Sequence, residues 1–221
     1  MIDHDDGRTN GTTKLTTQPE PSPANPASTV LRNYLYLLDR FFGMYLDACM
    51  GFEAVGDRMA RTVKPDQYDK KLSFGEFDNP NDAAAKYMHA TTFRKFIFRN
   101  KRNSENQLLL AQSTIVFIYS IWDTLFRPQY CSALGKPQKD VLCDAMGDLR
   151  LYRHAIVHNN MKLEKATNRL SFIDVGNAVV LTQQQMQELF SILFDELSDL
   201  NFRHTGERLN LPFFRQLNPS R

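Results

Sequence analysis

Residues 104–126, SENQLLLAQSTIVFIYSIWDTLF, decide the fold class of this chain. Apolar side chains occupy almost every side of their helical projection, which is typical of a helix buried in the middle of a bundle. Ser104 is placed to act as the N-cap of this helix. Polar residues interrupt the stretch too often for a membrane span: Gln112, Ser113, Thr114, Ser120, Asp123 and Thr124. We therefore predict a buried core helix and no membrane partner.

Three further long helices are predicted around this one. Apolar residues recur at helical spacing over residues 31–52. A second pattern follows Pro137 and ends near residue 159, with a core face of Leu142, Ala145, Met146, Leu149, Tyr152 and Ile156. Thr182 and Gln185 form a capping box for a last helix, whose apolar positions are Met186, Leu189, Phe190, Leu193, Leu197 and Leu200. These patterns predict an all-α protein, an up-and-down helical bundle.

The stretches between the helices predict little regular structure except one small β-hairpin, at residues 171–181. Two short apolar runs flank Gly176 and Asn177 there, and glycine accepts positive φ at the first turn position. Residues 61–81 carry many charges and helix breakers, so we expect a connection with at most short helical turns. A short helix is expected over residues 83–88.

The composition indicates one globular domain with termini outside it. The chain has 221 residues, of which 42% are hydrophobic and 24% charged. Residues 1–28 are polar and contain four prolines, so they predict a disordered tail. The helical domain is expected over residues 29–205, followed by a C-terminal extension over residues 206–221.

Charge and cysteine content exclude several functional classes. The formal net charge of +2 is too small to indicate a nucleic-acid binder without a local basic cluster. Cys49, Cys131 and Cys143 lack CxxC spacing, so neither a disulfide framework nor a zinc knuckle is predicted. The N-terminal residues are acidic and contain no apolar core of a signal peptide. The expected location is the cytoplasm, and no cofactor is expected.

Phosphate-directed chemistry is indicated at the end of the third predicted long helix. Arg150, Arg153, His154 and His158 are clustered there and are followed by Asn159. Arginine is always cationic and can hold a phosphate through two donors. Histidine titrates near neutrality and can accept or donate a proton. These groups suffice for RNA cleavage by the 2′-hydroxyl without a metal ion.

The segment RHAIVH, residues 153–158, resembles the motif of the HEPN family: an arginine, a polar residue, and a histidine after four intervening residues. An earlier apolar helix that carries an acid, Asp123, and a final amphipathic helix agree with this family. The resemblance covers about residues 31–200, but only the short motif is diagnostic. It implies a HEPN-like bundle, usually homodimeric, in which two motifs meet across a cleft and act as a metal-independent endoribonuclease. Many relatives are toxins or defend against phage, which implies an antitoxin or another defence protein as a possible partner.

Residue roles follow from the chemistry and from the resemblance together. Arg153 is expected to hold the scissile phosphate of an RNA substrate and His158 to act as general acid or base. His154 is expected to orient or assist. A buried carboxylate needs a partner, so Asp123 is expected to fix Arg153. Supporting roles are also assigned to Asn159 and Arg150.

The spacing within the motif raises a geometric difficulty. Five residues along a straight helix rotate the side chain by roughly 500°, so Arg153 and His158 lie about 140° apart. Either the arginine reaches around a distorted helix end, or the arginine of one protomer serves the histidine of the other. His154 and His158 do share one helix face.

Other interpretations of the motif stay open at this stage. The HxxxH spacing of His154 and His158 could hold zinc or iron, with Asp144, Asp148 or Asp123 as third ligand. No glutamate follows His154, so the metalloprotease signature is absent. The same residues could also be ordinary polar helix residues and ion pairs. A further alternative is a non-catalytic HEPN-like module that binds RNA, a nucleotide or a partner protein.

A second candidate RNA-binding feature is the basic segment 93–102, FRKFIFRNKR. Its basic side chains could neutralise phosphates, and an exposed phenylalanine could stack on an unpaired base. The alternative is a helix with Phe93, Phe96 and Ile97 in the core and a solvated charged face. The candidate RNA-binding residues are Arg94, Lys95, Arg99, Lys101 and Arg102.

Overall fold

The computed structural model describes residues 25–76 and 86–209, and this part of the chain is mostly helical. Six α-helices follow one another: α1 Pro26–Thr62, α2 Phe93–Arg99, α3 Glu105–Ile121, α4 Arg127–Leu134, α5 Asp144–His158 and α6 Gln183–Thr205. Strands β1 (Lys71–Glu76) and β2 (Lys86–Thr92) precede α2 and form one antiparallel pair. The prediction of an essentially all-α protein is confirmed at this level.

The first helix begins earlier than the sequence pattern predicted. Pro26 occupies its first turn, where the fixed φ of proline fits and its missing N–H costs nothing. The Asn25 side chain caps the helix by accepting a hydrogen bond from the Ala27 amide at 2.9 Å. Ala27 and Ser28 are fully buried. The folded domain therefore includes positions assigned to the predicted tail, whose residues 1–24 lie outside the described residues.

The predicted helix is present as α3, with Ser104 at its N-cap position. It is not buried on all sides, because Leu109 and Phe117 are 53% and 48% exposed. Beyond Ile121 the helix widens into a π turn over Trp122–Phe126 and continues as α4. Pro128 lies just after this turn and cannot donate to the helical ladder, which accounts for the change in hydrogen bonding. The buried Gln107 donates to the Cys49 carbonyl at 3.2 Å. Gln107 is thus satisfied by a neighbouring helix, whereas the hydroxyl groups of Ser113, Thr114 and Ser120 donate to carbonyls of their own helix.

Among the described helices, one continuous helical run is long and apolar enough to cross a membrane, judged by length and composition alone. It covers Glu105–Leu134, and its most apolar window has a mean hydropathy of 1.4 and is 39% buried. The core helix of a soluble bundle can have the same length and apolar composition. This finding is consistent with the predicted soluble protein.

The core lies between α1, α3, α5 and α6. Helix α3 packs against α1 and α5, and α6 packs against α1. All six predicted apolar positions of α6 are buried, and Thr182 and Gln185 form the predicted capping box. Large aromatic side chains fill the interior: Tyr34, Tyr45, Tyr130, Tyr152, Phe190 and Phe194. The helical periodicity therefore identified the core of the bundle correctly.

The predicted hairpin at residues 171–181 is wrong. The Gly176 turn exists, with φ of +88°, and the Asn177 amide donates to the Asp174 carbonyl at 3.1 Å. The flanking runs do not pair with each other. Instead, residue 178 forms an isolated antiparallel bridge with Lys162, in the loop that follows α5. Val179 and Leu181 are buried in the core, whereas Val175 is 55% exposed. Tertiary packing therefore determines how the second run is placed.

The sheet lies instead where a connection and a short helix were predicted. β1 and β2 pair with Lys71 opposite Thr92 and Phe74 opposite His89, and the register shifts at Gly75. Residues 83–85 of the predicted helix lie outside the described residues, and Met88 belongs to β2. Pairing with β1 outweighed the helix propensity of this segment.

Candidate active site at the end of the fifth helix

Helix α5 carries the motif and is anchored by one buried face. Residues Ala145, Met146, Asp148, Leu149, Tyr152 and Ala155 are buried. Leu142, which the pattern placed in the core, is 62% exposed because the helix begins only at Asp144. The opposite face leaves Arg150, His154 and His158 exposed. The structure therefore presents the polar residues of the motif to solvent at the C-terminal end of α5.

Arg153 and His158 contact each other within one chain. The Nη1 atom of Arg153 lies 3.2 Å from the Nε2 atom of His158. A guanidinium group has only donors, so a hydrogen bond at this contact requires the tautomer of His158 whose Nε2 atom is an acceptor. His158 is the last residue of α5, and the long arginine side chain reaches it around the helix end. The contact removes the geometric reason for a site shared between protomers.

His154 joins this pair on the exposed face of α5. Its ring centroid lies 5.2 Å from that of His158. Arg150 lies one turn before His154, and both residues line a cavity of about 280 Å³ next to the motif. Two imidazoles and two guanidinium groups are thus brought together at one end of the helix.

The loop after α5 makes an unusual turn that sets the end of the site. Asn160 and Met161 both have positive φ, +46° and +65°. The Asn159 side chain donates to the Lys162 carbonyl at 2.7 Å, so its supporting role is to close this turn. The Met161 amide donates to the Ala155 carbonyl at 2.9 Å. Left-handed backbone at a methionine is costly, so other contacts must hold it.

A glutamine that the sequence interpretation treated only as a polar interruption holds this loop. Gln112 of α3 is buried, and its Nε2 atom donates to the Val179 carbonyl at 2.9 Å and to the Met161 Sδ atom at 3.1 Å. The Val179 amide in turn donates to the Met161 carbonyl at 2.8 Å. A side-chain amide in an otherwise apolar helix was the available signal. Gln112 therefore positions the turn that follows the motif.

Asp148 anchors α5 to the next loop. One carboxylate oxygen, Oδ2, accepts hydrogen bonds from the amides of Asn168, Arg169 and Leu170 at 2.9, 2.6 and 3.0 Å. Tyr152, one turn later, also donates to the Leu170 carbonyl. The sequence suggested Asp148 only as a possible metal ligand. Its position on the buried face of α5, four residues before Tyr152, was the signal that it serves the structure.

Asp123 does not fix Arg153, contrary to the prediction. Its side chain is 45% exposed and forms an ion pair with Arg127 at 3.7 Å. Asp123 lies within the π turn, which changes the direction of its side chain relative to a regular helix. The buried carboxylate of this region is Asp148. Arg153 has no carboxylate partner among residues 25–76 and 86–209.

The basic segment of α2 is separate from the motif. Helix α2 packs against α1 and β2, whereas α5 packs against α3 and α6. Arg94 forms a two-pronged ion pair with Asp69, with distances of 2.8 and 3.0 Å. Arg99 contacts His89 at 3.1 Å. The structure therefore does not bring these two candidate sites together.

The other basic residues of this segment are exposed. Lys101 lies over the Phe98 ring at 4.4 Å, and Phe98 itself is 59% exposed. Lys95 and Arg102 are also exposed. Phe96 and Ile97 are buried, as the solvated-face alternative predicted. Three of the five candidate residues can therefore meet a ligand without breaking a side-chain hydrogen bond to another described residue: Lys95, Lys101 and Arg102.

Metal ligation and thiol chemistry find little support near the motif. No group of three or more His, Cys, Asp or Glu side chains could hold a metal ion within residues 25–76 and 86–209. Two of the three carboxylates considered as a third ligand for an HxxxH metal site already have partners. Asp123 pairs with Arg127, and Asp148 accepts hydrogen bonds from backbone amides. Burial raises the pKa of the Cys143 thiol to about 12, which keeps it protonated and poorly nucleophilic at neutral pH.

No family model, curated protein or solved structure matches this chain. The resemblance to HEPN proteins is therefore carried by residues 153–158 and the helices around them. Within that segment, Arg153 and His158 meet at the surface, and His154 adjoins them.

Proposed function

We propose that this chain is a metal-independent endoribonuclease of the HEPN type, with its active site at the C-terminal end of α5. The observation that supports this most directly is the contact of 3.2 Å between Arg153 and His158. It pairs a permanent cation with an imidazole on an exposed helix end. Such a pair has the two groups that cleavage by a 2′-hydroxyl needs, a phosphate binder and a proton acceptor.

The chemistry can be written with these side chains alone. Arg153 donates to the non-bridging oxygens of the scissile phosphate, which stabilises the negative charge that develops there. As Arg153 turns to the phosphate it releases the Nε2 atom of His158, whose lone pair then accepts the proton of the 2′-hydroxyl while the 2′-oxygen attacks phosphorus. The bond from phosphorus to the 5′-oxygen breaks, and that oxygen takes a proton from His154 in its protonated form or from water. The products are a 2′,3′-cyclic phosphate and a 5′-hydroxyl.

The structure changes which residues support this site. Asp123 no longer belongs to it, whereas Asp148 and Gln112 hold the two loops that border it. Because Arg153 is not neutralised by a carboxylate among the described residues, its charge is available to a phosphate. Arg150 and His154 line the neighbouring cavity.

A homodimer, a cytoplasmic location and a role as toxin or defence protein with a restraining partner belong to the same proposal. They derive from the family resemblance and the sequence. Since Arg153 and His158 meet within one chain, a dimer would bring two complete pairs together and is not required to complete either one.

The second candidate function is a non-catalytic HEPN-like module that binds RNA, a nucleotide or a partner protein. The basic cavity beside His154 favours it, because binding of a phosphate needs charge and shape but no proton transfer. In that case the cleavage chemistry would be absent while the binding remained.

Incubation of the purified protein with single-stranded RNA in EDTA tests the proposal. We expect cleavage whose products carry 2′,3′-cyclic phosphate and 5′-hydroxyl ends, identified by end-specific ligation and sequencing. Cleavage that requires a divalent cation, or products with 5′-phosphate ends, would contradict the mechanism. Tight RNA binding without any cleavage would favour the non-catalytic module.

A further inference from the structure

A small cavity with a basic lining lies between α5 and the loop that follows it. Its volume is about 280 Å³. The polar part of its wall consists of Arg150, His154, Lys162, Glu164 and Lys165. Leu151, Ala155 and Leu163 supply the apolar part. We call it the Arg150–Lys165 cavity.

Backbone hydrogen bonds hold residues 162 and 163 in place in the wall of this cavity. Residue 162 forms an antiparallel bridge with residue 178. The Leu163 amide donates to the Asn177 carbonyl at 3.0 Å, and the Leu163 carbonyl accepts from the Gly176 amide at 2.7 Å. Leu163 is buried, which turns its neighbours Lys162 and Glu164 outward. The wall of the cavity is therefore formed before any ligand arrives.

The charge of the lining selects an anion. Arg150, Lys162 and Lys165 have no ion pair with any residue in the described ranges, and Glu164 is the single carboxylate of the wall. Three cations around a small volume repel one another, and an anion between them relieves that repulsion. Arginine and lysine both bind phosphate, the arginine through a two-pronged contact and lysine as a compact charge.

The size and the apolar wall indicate what kind of anion fits. Small-molecule sites usually have volumes of about 300 to 1,000 Å³, so a cavity of about 280 Å³ suits one compact ligand. A bare phosphate would use the cations but leave the partly exposed Leu151 without a partner. A nucleoside phosphate uses both parts of the wall, since its base or sugar can also contact Leu151.

We propose that the Arg150–Lys165 cavity binds one nucleotide unit of a single-stranded RNA through its phosphate, next to the nucleotide that is cleaved. His154 lies between the cavity and the proposed catalytic pair, because it lines the cavity and its ring lies 5.2 Å from that of His158. The position next to the scissile nucleotide rests on the proposed function. The binding of a nucleoside phosphate rests on the cavity itself.

Binding of an RNA that cannot be cleaved separates these two parts. A fluorescent 2′-O-methyl oligoribonucleotide has no free 2′-hydroxyl, so its affinity can be measured by anisotropy in EDTA without turnover. The test variant is Lys162→Ala/Lys165→Ala. The matched control is Lys70→Ala/Lys139→Ala, which removes the same charge from exposed positions outside the cavity. Thermal melting of both variants verifies that each is folded.

We expect the test variant to bind the oligonucleotide about 10-fold or more weakly than the control, the effect of lost charge-assisted hydrogen bonds. For the test variant, the slope of log Kd against the logarithm of salt concentration should be smaller by about 0.7. This is the value for one neutralised phosphate of a single strand. Equal affinity of the two variants, or no binding by the wild type, would overturn the proposal. Free AMP and inorganic phosphate serve as competitors. If phosphate competes as well as AMP, the nucleotide part of the proposal is wrong.

Failure of the proposed function gives a different pattern. If the wild type cleaves no RNA but binding still depends on Lys162 and Lys165, the cavity is a nucleoside-phosphate site and the nuclease assignment is wrong. If the wild type cleaves RNA but the test variant binds and cleaves as the control does, the nuclease assignment stands and the cavity proposal is wrong.

Discussion

The Nη1 atom of Arg153 lies 3.2 Å from the Nε2 atom of His158, although the two residues lie about 140° apart on an ideal helix. The arginine side chain is long enough to cover that angle where the helix ends and no further turn stands in the way. Its planar group reaches an imidazole on the surface of the bundle. The predictions about catalysis follow from this pair.

His158→Ala should abolish cleavage with little change in stability. Loss of a general acid or base typically lowers a rate by about 10²- to 10⁴-fold, and an exposed histidine contributes within about 0.5 kcal/mol to folding. Initial rates in EDTA and thermal melting measure the two effects. His204→Ala changes a histidine in the last turn of another helix and should cleave at the wild-type rate. Unchanged cleavage by His158→Ala would mean that this residue is not catalytic.

Arg153→Ala should be inactive and should remain folded. A buried Asp123 left without Arg153 would cost about 3–5 kcal/mol, but Asp123 pairs with Arg127 and is exposed. We therefore expect a loss below about 1 kcal/mol on urea unfolding. Arg153→Lys keeps the charge but not the two parallel donors, and should recover only a small part of the rate. Full activity of Arg153→Lys would show that a point charge suffices.

Asp148→Ala should destabilise the protein more than any substitution in the motif. It leaves three backbone amides in the loop without their acceptor, and hydrogen bonds to a charged group are worth about 1.5–3 kcal/mol each. We expect a loss of about 3 kcal/mol or more in urea unfolding. Asp144→Ala removes an exposed acid from the start of the same helix and should cost less than about 1 kcal/mol. Similar losses for the two variants would contradict the anchoring role.

A chain that starts at residue 29 should be less stable than one that starts at residue 25. The shorter chain loses the Asn25 cap, the buried Ala27 and the hydrogen bond that Asn201 donates to Ser28 at 2.9 Å. A cap is worth about 1 kcal/mol and a hydrogen bond about the same. We expect a difference of about 2 kcal/mol, measured by urea unfolding. Equal midpoints would show that helix α1 starts later in solution.

Helix periodicity was sufficient to predict the bundle because it records which face is buried. It located the long helices, the capping box at Thr182 and Gln185, and the buried positions of α6. The strands could not be predicted in the same way, since pairing depends on residues distant in the chain. Gly176 does form a turn, but the strand-like run after it pairs with the loop beyond α5.

The residues of the candidate site were predicted from the sequence more accurately than the contacts between them. Arg153, His154 and His158 do lie together, because they follow one another along one helix end. The partner of Asp123 was wrong because a π turn cannot be read from the pattern of apolar residues. Gln112 and Asp148 were missed as supports, since their partners are backbone groups that carry no side-chain signal.

The hydrogen bonds between Asp148 of α5 and the loop at residues 168–170 make these two elements unequal in their tolerance to substitution. All three donors are main-chain amides, so the side chains of Asn168 and Arg169 can be exchanged without losing the contact, and both are exposed. The carboxylate cannot be replaced so freely. Saturation mutagenesis should therefore find Asp148 intolerant and Asn168 permissive, whereas Arg169 also pairs with Glu196 and Leu170 is buried. Proline is excluded at all three loop positions because it brings no N–H.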